Sequence, residues 1–320
     1  MSYTEATVGL HAGEPLRARS RLLRRLLRRP VAVAAIAVIV LIYGAGILAP
    51  VIAPYGFNEA DFTNTYAAPS LSHPFGTDEL GRDLLSRAIW SAQTTVIVSI
   101  AVVATGALAI GVTAGLVAGY LRGAADAVIM RLAEIFGSVP TILLLLIITA
   151  TLRDRVEGWA ESVGDFTHQS WIVSSGAPSY VLIFGSLSAF GWVGIARIVR
   201  SQVLALRETQ YVIAARASGA SGPRIIFWHL LPNVGNLLIV AITLSLGSAA
   251  AAEVGLTFLG IGVQSPHPSF GAMIAAGAPL TIVRQHTVLI LVPAACVSAL
   301  VLAFNLLGDQ LTDVLSPRRR

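Results

Sequence analysis

The chain has 320 residues, of which 55% are hydrophobic and only 12% are charged, and its mean hydropathy is +0.75. This balance excludes an ordinary soluble domain, because runs of about 20 apolar residues have the length that a helix needs to cross a bilayer. All 22 basic residues are arginine, so the chain lacks the lysine of a phosphate-binding GxxxxGKS/T loop and of a Schiff-base enzyme. The single cysteine, Cys296, lies in an apolar run, which excludes a disulfide framework and a cysteine-based metal site.

Residues 1–30 form a polar, arginine-rich segment in which leucines alternate with seven arginines between Arg17 and Arg29. This pattern predicts a basic amphipathic helix on the cytoplasmic membrane surface. A signal peptide is the rival interpretation, but the apolar run Val31–Ala53 is too long for one and ends in no small-residue cleavage site. We therefore predict a first, retained membrane span here, and an external loop that reaches residue 92.

Six apolar runs follow one another along the chain and predict an all-α polytopic membrane protein. The predicted spans are Val31–Ala53, Thr94–Tyr120, Ala127–Leu152, Tyr180–Val199, Val234–Leu256 and Thr287–Leu307. The second span carries Gly111, Gly115 and Gly119 at four-residue spacing, which predicts a flat face for close helix packing. Gly137 and Pro140 interrupt the third span.

Polar or irregular segments separate these spans. Residues 153–178 are polar and are expected to lie outside as a loop. Residues 257–286 are apolar but rich in glycine and proline, which favours a re-entrant or partly unwound segment.

The arginine distribution predicts the orientation. With both termini in the cytoplasm, 17 of the 22 arginines lie in cytoplasmic segments and five lie outside. Because cytoplasmic loops carry the excess of basic residues, we expect the N- and C-termini inside. This distribution accounts for the net charge of +5 without nucleic acid as a partner.

The cytoplasmic segment 208–233 has the pattern of two helices joined by a turn. Gly219 suits a left-handed helix end, and Ser221 can cap a second helix with Pro223 in its first turn. Pro232 and Asn233 are expected to mark the start of the fifth span. On shape alone, an ordinary interhelical loop and a surface gripped by another protein both remain open.

Five residues of this segment match the pattern "EAA, three residues, Gly, eleven residues, Leu-Pro", namely Ala214, Ala215, Gly219, Leu231 and Pro232. The segment therefore resembles the EAA loop of ABC importer permeases. In that family the loop inserts into a cleft on the ATPase subunit.

The match has one departure. Ile213 stands where the family usually has glutamate, while Arg207 and Arg216 remain available for a charge contact.

The resemblance extends to five blocks in the order found in the C-type permease of dipeptide/oligopeptide ABC importers. These blocks are His73–Arg87, Gly191–Glu208, His229–Asn233, Thr257–Ile274 and Phe304–Arg318. The resemblance covers most of residues 30–318. It leaves out the N-terminal arginine segment and residues 153–176, which are expected to form an inserted external loop.

The resemblance implies a type I ABC importer permease fold in a bacterial cytoplasmic membrane. A transmembrane domain over residues 93–310 would contain five helices and the EAA loop at 208–233, and residues 311–320 would be a cytoplasmic tail. The implied partners are a B-type permease, two ABC ATPase domains and an extracytoplasmic peptide-binding protein. ATP and magnesium would bind the ATPase subunits, and this chain would hold no cofactor, metal or catalytic centre.

Three groups of residues are candidate sites. The ATPase-coupling candidates are Ala214, Ala215, Arg216, Gly219, Leu231 and Pro232. Glu253 is an acidic residue inside a span, which indicates either a position on the translocation path or a hydrogen bond between helices. An external group of charges either forms a solvated helix face or contacts the binding protein; it comprises Asp78, Glu79, Arg82 and Asp83.

Two alternative functions remain. The same architecture could import another small solute, such as a nickel chelate or glutathione. An intramembrane serine protease is a remote alternative, because Gly219–Gly222 spells GxSG around Ser221. Such an enzyme needs a histidine base beside the serine within the membrane, and no histidine lies in the middle of a predicted span.

Overall fold

A computed structural model describes residues 24–167 and 176–315. Within these ranges the protein is helical and contains no β-sheet. Most of the predicted N-terminal amphipathic helix, the arginines that end the chain and residues 168–175 lie outside the described ranges.

Within the described residues, five helices are long and apolar enough to cross a membrane, numbered below as α1, α3, α6, α8 and α11. The helices in chain order are α1 (Pro30–Ile47), α2 (Ala49–Ile52), α3 (Leu84–Leu121), α4 (Gly123–Ser138), α5 (Thr141–Thr167), α6 (Ala177–Leu206), α7 (Gln210–Ala217), α8 (Gly222–Phe258), α9 (Phe270–Gly277), α10 (Leu280–Gln285) and α11 (Val288–Leu315). A sixth span results if α4 and α5, which meet at a bend of 88°, are taken together. The all-α polytopic prediction is therefore confirmed.

Helix α3 begins ten residues before the predicted second span. Asp83 occupies its N-cap, and the Asp83 side chain accepts a hydrogen bond from the Ser86 backbone N–H. Polar residues in the first turns pack inside the protein, so a hydropathy pattern alone places the start too late. A π-helical stretch, Val103–Val112, lies in the middle of α3.

Helix α8 begins at Gly222, so it starts before Pro232 and the proline lies inside the helix. A π-helical turn, Ile226–Leu230, ends two residues before this proline. The wider turn relieves the clash that a proline ring otherwise makes with the carbonyl four residues earlier. At 1.5 Å per residue α8 is about 55 Å long, against about 30 Å of hydrocarbon, and therefore extends well beyond the bilayer core.

The prediction that residues 153–178 form a loop is wrong for residues 153–167, because α5 continues to Thr167. Polar residues do not break this helix, since arginine, glutamate and alanine are good helix formers. The predicted interruption near Pro140 is confirmed. Val139, the residue before this proline, is extended with ψ of 137°, which is the conformation that a following proline favours.

Helices α3 and α6 pack closely through the glycine face predicted on α3. A Cβ atom added at Gly115 would lie 2.6 Å from Val199 Cβ, and one at Gly119 would lie 2.7 Å from Val203 Cβ. The third glycine, Gly111, meets the Trp192 carbonyl in the same way at 2.9 Å. The close approach of these two helices therefore depends on the absence of a side chain at each of the three glycines.

Helices α1 and α11 bring the two described ends of the chain together. Arg29 donates hydrogen bonds to Gln310 and to Asp313, both at 2.9 Å. The beginning of α1 and the end of α11 therefore lie on the same face of the helical bundle.

The segment after α8 is unwound, as predicted, over residues 259–269. Ser269 then caps α9 by accepting a hydrogen bond from the Ala272 backbone N–H at 3.1 Å. The unwound backbone is held inside the protein, since Thr94 donates a hydrogen bond to the Pro268 carbonyl at 2.7 Å.

Candidate functional site

The segment 208–233, called here the coupling segment, contains a short helix and a sharp turn. Helix α7 ends in a motif in which the Gly219 N–H binds the Arg216 carbonyl and the Ala220 N–H binds the Ala215 carbonyl, both at 3.0 Å. Gly219 has φ of +80°, which favours glycine because it lacks a Cβ atom. The predicted helix stop at Gly219 is confirmed. Ser221 occupies the next N-cap position without the predicted side-chain hydrogen bond.

One side of α7 is fixed to the protein and the other is open. Val212 is fully buried in the same hydrophobic cluster as Ile225 and Leu230 of α8. The Ala214, Arg216 and Gly219 positions are exposed, and Ala215 is half-buried between them. The structure thus brings these four coupling candidates together. It places Leu231 and Pro232 on α8, one half-buried and the other exposed.

The start of the coupling segment is joined to the C-terminal end of α3. Arg207 donates to the Tyr120 carbonyl at 2.8 Å and approaches the Gly119 carbonyl at 3.5 Å. These carbonyls belong to the last turn of a helix and lack partners within it. Arg122 and Glu208 form an ion pair at 2.7 Å across the same junction. Sequence reasoning missed this junction, and it left Arg207 available for a partner although the side chain is used within the chain.

Positive charge accumulates at this junction. Partial burial lowers the pKa of the Arg207 guanidinium, and the neighbouring Arg122 and Arg216 lower it further. Arg216 lies over the Tyr120 ring, 5.9 Å from its centre, which orients the guanidinium without neutralising it.

A cavity of about 380 Å³ lies between α3, α6 and α8, next to the start of α5. Its lining consists of Val102, Val103, Ala107, Thr141, Leu187, Phe190, Gly191, Gly194, Ile195, Ile198, Ala241, Leu244, Ser245, Ser248, Ala249 and Ala252. None of these residues carries a charge. The hydroxyls of Ser245 and Ser248 donate to backbone carbonyls four residues earlier, at 2.8 and 3.1 Å, so their oxygen lone pairs remain as acceptors.

Glu253 lies inside the bundle and is absent from the cavity lining. It is fully buried and accepts hydrogen bonds from the Thr95 hydroxyl at 3.0 Å and from the Thr257 hydroxyl at 3.1 Å. The bond from Thr95 joins α3 to α8, and the bond from Thr257 lies within α8. Of the two interpretations of Glu253, the structure supports the hydrogen bond between helices.

The external charged group does not form the solvated or contacting surface that was predicted. Asp78, Arg82 and Asp83 are buried, and only Glu79 is exposed. Asp78 binds the side chains of Arg82 at 2.8 Å and of Arg87 at 2.9 Å. Mutual pairing permits this burial, which a count of charges along the sequence does not reveal.

The described residues offer no group of three or more histidine, cysteine, aspartate or glutamate side chains that could hold a metal ion.

Two families match the chain. The family described as "Binding-protein-dependent transport system inner membrane component" matches residues 111–320, and "N-terminal TM domain of oligopeptide transport permease C" matches residues 19–69. The matches run through residues 153–176 and begin within the arginine-rich segment. The resemblance therefore extends further than the sequence analysis placed it.

Proteins similar to this chain include permease proteins of dipeptide, oligopeptide and glutathione transport systems. The dipeptide transport system permease protein DppC of Bacillus subtilis (strain 168) is 34% identical over 297 residues, covering 93% of this chain and 85% of the relative. The oligopeptide transport system permease protein OppC of Mycobacterium tuberculosis (strain ATCC 25618 / H37Rv) is 32% identical over 304 residues, covering 94% and 95%. The glutathione transport system permease protein GsiD of Escherichia coli O6:K15:H31 (strain 536 / UPEC) is 34% identical over 296 residues, covering 92% and 89%.

These matches agree with the bundle of long apolar helices and with the blocks quoted from the sequence. The chain is an integral membrane protein that belongs to the family of binding-protein-dependent transport system inner membrane components and resembles its dipeptide and oligopeptide permeases.

Proposed function

We propose that this chain is one permease subunit of an ATP-driven importer of dipeptides or oligopeptides. It forms the translocation path together with a B-type permease and receives peptide from an extracytoplasmic binding protein. It holds no catalytic centre, and ATP and magnesium bind two ATPase domains that dock on the coupling segment.

One observation carries this proposal: the three helices that supply nearly all of the cavity lining, α3, α6 and α8, meet at the coupling segment. Helices α6 and α8 are joined directly by it, and α3 is tied to its start by the hydrogen bond from Arg207, the residue just before the segment, to the Tyr120 carbonyl. A displacement of α7 by a docked ATPase would therefore move three walls of the cavity together. Alternation between two such arrangements is how a rigid bundle changes access to a central site.

The chemistry of the cavity suits peptides of varied sequence. A wall without charged residues does not select for one sign of side-chain charge, and the serine oxygens can accept hydrogen bonds from peptide N–H or ammonium groups. Selection among peptides would then lie mainly with the binding protein.

The orientation is part of the proposal. The arginine bias predicts cytoplasmic termini, and the contact between Arg29 and Asp313 supports a common side for the beginning of α1 and the end of α11. The coupling segment would then face the cytoplasm, where an ATPase can reach it.

A cross-linking experiment tests the docking site. In a Cys296→Ala background, Ala215→Cys in the complete importer should capture an ATPase subunit with a short bifunctional cross-linker. Glu79→Cys, at an exposed position on the external side, is the matched control and should capture none. Failure of position 215 to capture an ATPase in a transport-competent complex would overturn the proposal.

Glutathione is a second candidate substrate, because a glutathione permease is among the relatives at 34% identity. Uptake of a labelled dipeptide by the reconstituted importer, with unlabelled glutathione as competitor, separates the two. We expect a dipeptide or oligopeptide to compete and glutathione to leave uptake unchanged. Competition by glutathione alone would assign that substrate instead.

The serine protease alternative gains no support. The Ser221 hydroxyl has no hydrogen-bond partner among the described residues, whereas a nucleophilic serine requires a neighbouring base.

A further inference from the structure

The coupling segment carries positive charge that the acidic side chains of the described residues do not balance. Between Glu208 and Glu253 the sequence contains no acidic residue. Glu208 is already paired with Arg122 at 2.7 Å. Arg216 and Arg224 are both exposed, and neither forms an ion pair with a described residue.

An apolar side chain lies beside this charge. Ile213 is 51% exposed, although the neighbouring Val212 is fully buried. Ile213 and Arg216 are three positions apart on α7 and therefore project from the same side of the helix. An isoleucine held open to water next to an unpaired guanidinium is a combination that favours a partner surface.

The rest of the exposed surface consists of small residues. Ala214, Ala217, Ser218 and Gly219 are all exposed, and a Cβ atom added at Gly219 would have no neighbour within 4 Å. A partner can therefore approach the backbone of this turn closely. Such an approach is useful to a protein cleft, which has a fixed shape, and gives no advantage at a lipid surface.

We propose, building on the function given above, that the cleft receiving this segment presents an apolar floor to Ile213 and carboxylates to Arg216 and Arg224. The partner is the ATPase subunit of the importer. The electrostatic part of the contact lies at the rim, where charges set the salt dependence and the association rate more than the final affinity.

Variants that remove the arginine charges test the electrostatic contacts at the rim of the cleft. In the complete importer, Arg224→Gln and the double variant with Arg216→Gln should weaken retention of the ATPase at low salt, the double variant by about tenfold, and should flatten its salt dependence. Arg224 is exposed, and its side chain forms no hydrogen bond or ion pair with a described residue, so its substitution should leave the fold of the segment intact. Arg131→Gln is the matched control, because Arg131 is exposed but already paired with Glu134 at 3.2 Å.

Substitution of Ile213 tests the sign of the charge in the cleft. Ile213→Glu should lower ATPase retention further than Ile213→Ala, because a carboxylate would then face carboxylates over an apolar floor. Stronger retention in Ile213→Glu would show a basic cleft and overturn the proposal. Unchanged retention in the Arg224 and double variants, with position 215 still capturing the ATPase, would overturn the proposal and leave the docking site standing.

The lipid environment provides the last comparison. The measurements are made in nanodiscs of phosphatidylcholine alone and in nanodiscs that also contain phosphatidylglycerol. The proposal predicts the same loss of ATPase retention in both. A loss confined to the anionic nanodiscs would identify lipid headgroups as the counter-charge and would overturn the proposal.

Discussion

At the scale of single residues, the role of a buried polar side chain depends on its neighbours in the fold as well as on its residue type. Glu253 was recognised from the sequence as an unusual carboxylate within a span, but the side of the helix that it occupies depends on how α8 packs. The hydroxyls of Thr95 and Thr257 satisfy both carboxylate oxygens inside the bundle. Glycine at position 219 was easier to interpret, because its backbone conformation is a local property.

Glu253→Leu removes the acceptor for two buried hydroxyls and should destabilise the protein by about 1–3 kcal/mol. Glu253→Gln retains one acceptor oxygen and should preserve uptake. Thermal unfolding of the detergent-solubilised protein, together with uptake in vesicles, measures the two effects. If Glu253→Gln abolished uptake while stability was unchanged, the carboxylate would have a role on the path.

Asp78→Asn leaves the buried guanidinium groups of Arg82 and Arg87 without their shared counter-charge. Breaking a buried ion pair in this way should cost about 3–5 kcal/mol. The adjacent Glu79→Gln substitution is the control, because Glu79 is exposed and should change stability by less than about 0.5 kcal/mol. Equal thermal midpoints for the two variants would contradict the pairing.

At the scale of helices, periodicity and glycine spacing predict that a helix exists and how it packs better than they predict where it begins and ends. The glycine face of α3 and the bend at Pro140 follow from residue size and from proline stereochemistry. The ends of α3, α5 and α8 do not, because polar residues continue these helices wherever a cap or a tertiary contact allows. A hydropathy criterion does not detect the polar part of a helix that extends beyond the membrane.

Gly115→Ala should destabilise the contact between α3 and α6. Its new methyl group would lie 2.6 Å from Val199 Cβ and 2.7 Å from the Ala196 carbonyl oxygen, and such overpacking costs about 1–3 kcal/mol. Gly185→Ala on α6 is the matched control, since no atom lies within 4 Å of its new methyl group and alanine favours the helix. Thermal unfolding should therefore show a lower midpoint for the first variant only.

Gly219→Pro should separate ATP hydrolysis from uptake. Proline holds φ near −65°, whereas the turn after α7 requires +80°. The ATPase activity of the reconstituted importer should lose its stimulation by peptide, while the amount of this chain in the membrane stays the same. Gly235→Ala, within α8 and without close neighbours, should retain stimulation; normal stimulation in Gly219→Pro would contradict the coupling role.

At the scale of the whole molecule, the sequence was sufficient for the fold class and the family, because five separated blocks occur in one order. It was insufficient for the cavity, which is formed by small and apolar residues from separate helices. No local sequence pattern shows that Ser245 and Ser248 face this cavity and not the lipid. Such a site becomes visible only when the helices are placed together.

The orientation predicts opposite accessibility at two positions. In a Cys296→Ala background, Ala214→Cys should react with a membrane-impermeant maleimide only in inside-out vesicles, and Glu79→Cys only in right-side-out vesicles. Both positions are exposed in the structure, so burial does not explain a failure to react. The reverse pattern would invert the arrangement of the chain across the membrane.

Helix α3 is held at both ends. Near its start, Arg87 in the first turns binds Asp78, and at the other end the final carbonyls accept hydrogen bonds from Arg207, the residue just before the coupling segment. At 1.5 Å per residue α3 is a rod of about 57 Å that is anchored at each end. Tension applied at one anchor reaches the other through the backbone itself, so the loop before α3 and the junction with the coupling segment form a single mechanical unit.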